Sequence, residues 1–194
     1  MSRVLMMVVI AVVMSVLMAA STEPVPTSHM LSIDRSRPFD PEKFVGPGWS
    51  FWRGPANGDG KTGEIEQDKR SLALTKLDLA KVKMKSSLKK GERTISGEEF
   101  LKRLKESGEV RLDAGVFWAV LKGDRYFDQA WTKPSNKRPV SVWRTSIYFF
   151  GSPLRSPHGD RYVLYLFGMD GKPSCGWNRL EDDFEASDVA AMLE

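Results

Sequence analysis

Three compact turn signals in the last third of the chain constrain its fold most. Gly151-Ser152, Pro157-His158-Gly159 and Asp170-Gly171 carry the residues that tight hairpin turns require, and apolar-rich runs lie between them. Strands joined by connections this short must run antiparallel. The turns divide residues 140–180 into a four-stranded meander, Val140 to Phe150, Pro153 to Ser156, Arg161 to Met169 and Lys172 to Leu180. Closing the last hairpin on Asp170-Gly171 sets Cys175 beside Leu166.

Two helices precede the meander. Ser96 with Glu99 forms a capping box, and Phe100, Leu101 and Leu104 make one apolar stripe. Glu98 with Lys102 and Glu99 with Arg103 are favourable i,i+4 pairs, and Gly108 supplies the stop. Asp113 caps a second helix with Val116, Phe117, Val120 and Leu121 inward, ended by Gly123. Upstream, Lys81 to Leu88 alternates with period two, which puts Lys81, Lys83 and Lys85 on one face of a strand and Val82, Met84 and Leu88 on the other. The reading is α+β: a mostly antiparallel sheet ending in the C-terminal meander, with two helices packed on it.

The N-terminus is organised differently. From Val4 to Ala20 every residue but Ser15 is apolar, and Arg3 precedes the run. This is the layout of a signal peptide or an N-terminal membrane anchor over residues 1–21, with Ala19 and Ser21 placing a cleavage before Thr22. No further Lys or Arg occurs until Arg35, so the charge bias keeps the N-terminus cytoplasmic and sends the remainder across the membrane. Residues 22–43 hold Pro24, Pro26, Pro38 and Pro41 and read as a spacer, followed by one domain over 44–194. Met30 offers a second start that would leave the protein cytoplasmic.

Cys175 is the only cysteine, so no intramolecular disulfide can form. The net charge of +4 conceals an asymmetry: twelve basic and four acidic residues lie between Lys69 and Lys105, whereas Glu181 to Glu194 has six acidic and no basic ones. Such a distribution suits either an anion-facing surface or an acidic tail lying on a basic face.

Gly54 to Thr62 resembles a phosphate-binding loop, but five residues rather than four separate Gly54 from Gly60, and Gly63 follows where a helix should start. No nucleotide and no cofactor is expected. Asp59 and Glu66, in the same acidic loop, are the candidate catalytic carboxylates of a hydrolase. The loop fails the EF-hand pattern at Lys61 and Thr62, and no metal site is expected. His158 lies too many residues along the strand from Cys175 to form a dyad with it. Trp49, Phe51 and Trp52 place aromatic rings on both faces of one short strand, with Trp52, between Phe51 and Arg53, as the exposed one. Those rings and the Lys81, Lys83, Lys85 face are the candidate binding surface, for an anionic or glycan ligand of the cell envelope. The basic helix Gly97 to Ser107, with the helix and hairpin after it, has the order of a winged helix, which makes nucleic acid a partner only without export.

Arg70 to Thr75, Gly97 to Asp113 and Leu154 to Leu166 resemble segments of small bacterial proteins with no assigned activity. The resemblance covers the stretch after Ile33 and implies a shared fold, without an activity. N-terminal sequencing of the fractionated native protein separates a product starting near Thr22, an intact anchor and a Met30 start.

Overall fold

A computed structural model describes residues 29–123, 145–169 and 172–194. The apolar segment, Trp131, Trp143, residues 140–144 and the Asp170-Gly171 turn lie outside them. The fold is α+β and its sheets are mostly antiparallel, as the hydrophobic patterning implies.

The C-terminal strands β7 (Ser146–Arg155), β8 (Arg161–Met169) and β9 (Lys172–Arg179) form an antiparallel meander. Gly159, at φ +98°, turns the chain between β7 and β8. Met169 pairs with Lys172 and Leu166 with Cys175, the register expected from the sequence.

Gly151-Ser152 is not the hairpin turn expected. β7 continues through it as one strand, and its pairing to β8 shifts register between Phe149 and Leu154. The cause is a crossing chain. Gly151 donates its N–H to the Leu112 carbonyl and accepts from the Asp68 N–H, while Ser152 Oγ accepts from the Ala114 N–H. A Cβ on Gly151 would lie 2.3 Å from the Arg111 carbonyl oxygen. Glycine is therefore required by close backbone approach at a bulge rather than by a turn.

The main sheet runs β4 (Val82–Lys85), β11 (Asp188–Leu193), β7, β8, β9. β2 (Ser50–Phe51) pairs with the end of β7, and β6 (Val110–Arg111) pairs with β11. β11 lies parallel to β7 and antiparallel to β4, so the acidic C-terminal stretch does return onto the basic strand. Two small sheets pair β1 (Met30–Ser32) with β3 (Lys76–Asp78), and β5 (Thr94–Ser96) with β10 (Asp183–Glu185).

Besides the one-turn helices α1 (Pro41–Phe44) and α2 (Lys69–Leu72), two longer helices cover the sheet. Ser96 caps α3 (Gly97–Glu106) through the Glu99 N–H, and Asp113 caps α4 (Ala114–Lys122) through the N–H groups of Gly115 and Val116. α4 buries Val116, Phe117 and Val120 against Phe149, Leu164 and Leu166, while α3 buries Phe100, Leu101 and Leu104 with Phe150, Val163 and Phe184. The strand alternation of β8 thus feeds two cores, one on each face.

The folded unit starts earlier than Phe44. Leu31, Ile33 and Phe39 are buried with α4, and Arg35 pairs with Asp113, so much of the expected spacer is core. Its four prolines conceal this, because three apolar residues over nine positions set no period.

Asp188 stands where β11 meets β7. Its carboxylate accepts the Glu185 N–H, and Tyr148 lies close enough to interact with it. Burial raises the Asp188 pKa above the ordinary aspartate value and raises that of Tyr148 further still. A raised carboxyl favours folding while protonated, and that contribution is lost as pH rises through its folded pKa. Asp188→Asn is therefore expected to raise the melting temperature near neutral pH, with the gain shrinking below about pH 4, the ordinary aspartate range. Thermal melts across that range check it.

Candidate functional site

The loop Gly54 to Gly63 folds back over Trp52. Gly60, at φ +68°, rests on the indole, where a Cβ would come within 2.6 Å of ring carbons, and Trp52 Nε1 donates to the Pro55 carbonyl at 3.1 Å. Trp52 is only 3% exposed. Expected as the exposed ring, it is instead the floor under the loop, because nothing in the flanking residues reports a loop closing from above. An extended segment follows the loop, with Ile65 bridging to Arg53, so the helix that a phosphate-binding loop needs is missing.

Asp59 is occupied within this loop. Its Oδ1 accepts from the N–H groups of Lys61 and Thr62 and from the Thr62 hydroxyl, which lowers its pKa. Glu66 points elsewhere, into a charged nest beneath the loop. One of its oxygens takes Lys105 at 2.5 Å and the other takes Arg161, whose second terminal nitrogen binds Glu98. The Arg161 guanidinium lies 5.0 Å from the Trp52 ring centre, and the side chain is 4% exposed. Asp59 Oδ1 and both oxygens of Glu66 are thus engaged by donors of this chain, and the structure does not join the two residues as an acid and base pair.

Above the nest, Trp52, Gly58, Glu98, Asp160, Arg161 and Glu181 line a cavity of about 460 Å³. Asp160 and Glu181 both accept from Arg179, at 3.3 and 2.5 Å. Arg179 sits opposite Tyr162 across β8 and β9, so this guanidinium joins the cavity rim to the next feature.

That feature is aromatic. Trp49 packs edge-on against Tyr162, with centroids 4.9 Å apart, and against Trp177 at 5.9 Å. Trp49 and Tyr162 are half-buried, whereas Trp177 is 42% exposed. Tyr162, Trp177 and Arg179 share one face by strand alternation. Trp49 is fixed from the other side, since Gly48 before it sits against Pro157 of the β7–β8 turn. Phe51 faces inward in the same core, beside Phe39. Of the three rings singled out in the sequence, only Trp49 joins this surface. Trp177, Tyr162 and Arg179 escape a local reading, yet the hairpin register that places Cys175 at Leu166 also places Trp177 at Leu164 and Arg179 at Tyr162.

The basic strand is largely neutralised. Lys83 pairs with Glu194 and Lys85 with Glu109, while Lys81 lies exposed on the 3-10 turn before β4. On α3, Arg103 takes Glu92 and Glu99, and Lys102 takes Glu99 at 3.8 Å, whereas Glu98 binds Arg161 rather than Lys102. His158 is exposed in its turn, and burial raises the Cys175 thiol pKa. Among the described residues no three His, Cys, Asp or Glu side chains converge as metal ligands, and no helix is long and apolar enough to cross a membrane.

Compared with known proteins, the chain matches no family model, no curated protein and no solved structure. The functional reading therefore rests on the geometry.

Arg161 is the keystone of the nest. Arg161→Met leaves Glu66 and Glu98 facing a lost charge and is expected to cost about 3–5 kcal/mol in urea unfolding, the range for breaking a buried pair. Neutralising the carboxylates in the same chain, with Glu66→Gln and Glu98→Gln, should recover a substantial fraction of it. A triple variant no more stable than Arg161→Met would refute the pairing.

Proposed function

We propose that the protein is a binding module, exported or membrane-tethered by its apolar N-terminal segment, whose contact surface is the Trp49, Tyr162 and Trp177 cluster and whose ligand is an envelope glycan. One observation carries this reading: an indole 42% exposed, braced by a second indole and a phenol, next to a guanidinium that already holds two carboxylates. A half-buried aromatic cluster keeps its exposed ring in place without ordering cost on binding, and the apolar face of a sugar stacks on such a ring. The Arg179, Asp160 and Glu181 side chains supply donors and acceptors for the hydroxyl groups around the stacked face.

This surface replaces the one expected from the sequence, because Trp52 is buried and Lys83 and Lys85 are engaged by Glu194 and Glu109. The engagement of Asp59 and Glu66 within the chain supports binding over hydrolysis. Nor does α3 offer free cations for a phosphate backbone, since Arg103 and Lys105 are paired with carboxylates.

Cosedimentation with peptidoglycan sacculi and with chitin, read alongside tryptophan fluorescence, tests the proposal. Binding to at least one of them is expected, and Trp177→Ala should weaken it roughly tenfold or more, equivalent to about 1.4 kcal/mol. Lys83→Ala should leave it unchanged. Absence of binding to either polymer, or equal binding by Trp177→Ala, overturns the reading.

A further inference from the structure

The segment after β1 and one side of α4 border a group of cavities that the aromatic surface does not use. Three of them, of about 270, 330 and 350 Å³, are all lined by Arg37 and Trp118. The largest opens between residues 34–39 and the start of α4, with Phe39, Phe51, Ile65 and Leu72 as apolar walls. Its volume falls in the range of small-molecule sites, about 300–1,000 Å³. Trp118 is half-buried and held edge-on by Phe39, at 6.2 Å between ring centres, and by Phe44, at 5.4 Å. The ring is therefore fixed before anything binds beside it.

Most of the charged side chains around these cavities are already matched. Arg35 pairs with Asp113 and Lys43 with Asp40, at 2.9 and 3.3 Å. Asp34 accepts from the Ser36 N–H and hydroxyl, at 3.0 and 2.6 Å. Two cations are left over. Arg37 is exposed, and among the described residues no hydrogen bond or ion pair engages it; its charge acts on Asp34 from beyond ion-pair distance. Lys122 has no ion pair among the described residues either, and its Nζ lies 4.4 Å from the Trp118 ring centre. Arg37 and Lys122 against Asp34 leave one positive charge in excess.

Polar donors are unspent in the same place. Ser152, 1% exposed, accepts the Ala114 N–H at 2.7 Å, and among the described residues its own hydroxyl hydrogen meets no acceptor. The half-buried Gln67 side-chain amide has no hydrogen bond among them. The N-terminus of α4 offers nothing more, since Ser152 and Asp113 already take the N–H groups of Ala114, Gly115 and Val116.

We propose that this cleft binds a small monocarboxylate with a compact apolar body, its carboxylate on the Arg37 guanidinium and its body between Trp118, Phe39 and Phe51. One negative charge balances the excess, and a carboxylate matches the planar fork of a guanidinium with two parallel hydrogen bonds. A phosphate dianion would overshoot that charge and add to the repulsion from Asp34. The apolar walls disfavour a ligand that is polar throughout, because its groups would be desolvated without partners. Ser152 and Gln67 supply donors for a single polar substituent on the body. The site shares no residue with the Trp49, Tyr162 and Trp177 cluster, so its failure would leave the glycan reading untouched.

Calorimetric titration of the full chain with phenylacetate, and with phenylacetamide as its neutral counterpart, tests the assignment. The acid is expected to bind saturably, and the amide roughly tenfold more weakly. Arg37→Gln should bring the acid down to the level of the amide while leaving the amide unchanged. Arg37 is exposed and unbonded, so this variant keeps its fold. Lys90→Gln, which removes an exposed cation elsewhere, should alter neither titration. No saturable binding of phenylacetate overturns the proposal. Equal binding of acid and amide overturns it too, as does a loss of acid binding in Lys90→Gln equal to that in Arg37→Gln, which would mark a general effect of net charge.

Discussion

The carboxylate of Asp113 is 1% exposed and is held from four directions. Arg35 binds both its oxygens, at 2.9 and 3.0 Å, and the Ser71 hydroxyl donates to one of them at 2.5 Å. The Gly115 and Val116 N–H groups complete the set. Through these contacts one side chain ties the segment after β1, the one-turn helix α2 and the start of α4 together. Arg35 extends the knot by donating to the carbonyls of Leu74 and Ser71. A buried charge is tolerated only when paired and fully hydrogen-bonded, and breaking such a pair costs about 3–5 kcal/mol. The segment after β1 has few apolar residues of its own, so this knot fixes where it lies.

A second buried carboxylate, Asp68, anchors the neighbouring segments in the same way. It caps α2, binds the Arg70 side chain and accepts the Arg111 N–H, while its own N–H goes to Gly151. Asp68 and Asp113 thus flank the point where β6 crosses the bulge in β7. With Arg111 and Leu112 pressed against Gly151, the position of this crossing sets the twist of β7 and the seat of α4. The loop over Trp52, the charged nest and the aromatic cluster all gather at the far end of β7 and β8, and they inherit that geometry.

Charge pairing decides which surfaces remain for a partner. The run of cations between Lys69 and Lys105 is answered mostly from within: Glu194, Glu109, Glu92, Glu99 and Glu66 each engage one or more of its members. From the acidic C-terminal stretch Glu194 answers Lys83, while Glu181 takes Arg179 outside the run. Beside these pairs the Trp177 ring stands exposed, and the proposed binding surface is built on it.

Features set by neighbours a few residues apart were legible from the chain alone. The caps Ser96 and Asp113, the stripe Phe100, Leu101, Leu104 and the turn at Gly159 depend on local backbone chemistry, and the Leu166–Cys175 register follows from one short connection. Those elements determine the α+β class. The tertiary structure decided whatever depends on segments far apart meeting: that Gly151 receives a crossing strand, that Leu31 and Ile33 join the core, and that Glu66 finds Lys105 and Arg161. Trp52 and Trp177 make the division plain. Each lies in extended chain, Trp52 just after β2 and Trp177 within β9, yet one is roofed by a glycine loop and the other stands on the edge strand of the main sheet. Burial is a property of what packs on a residue, and sequence periodicity reports only the face on which that residue lies.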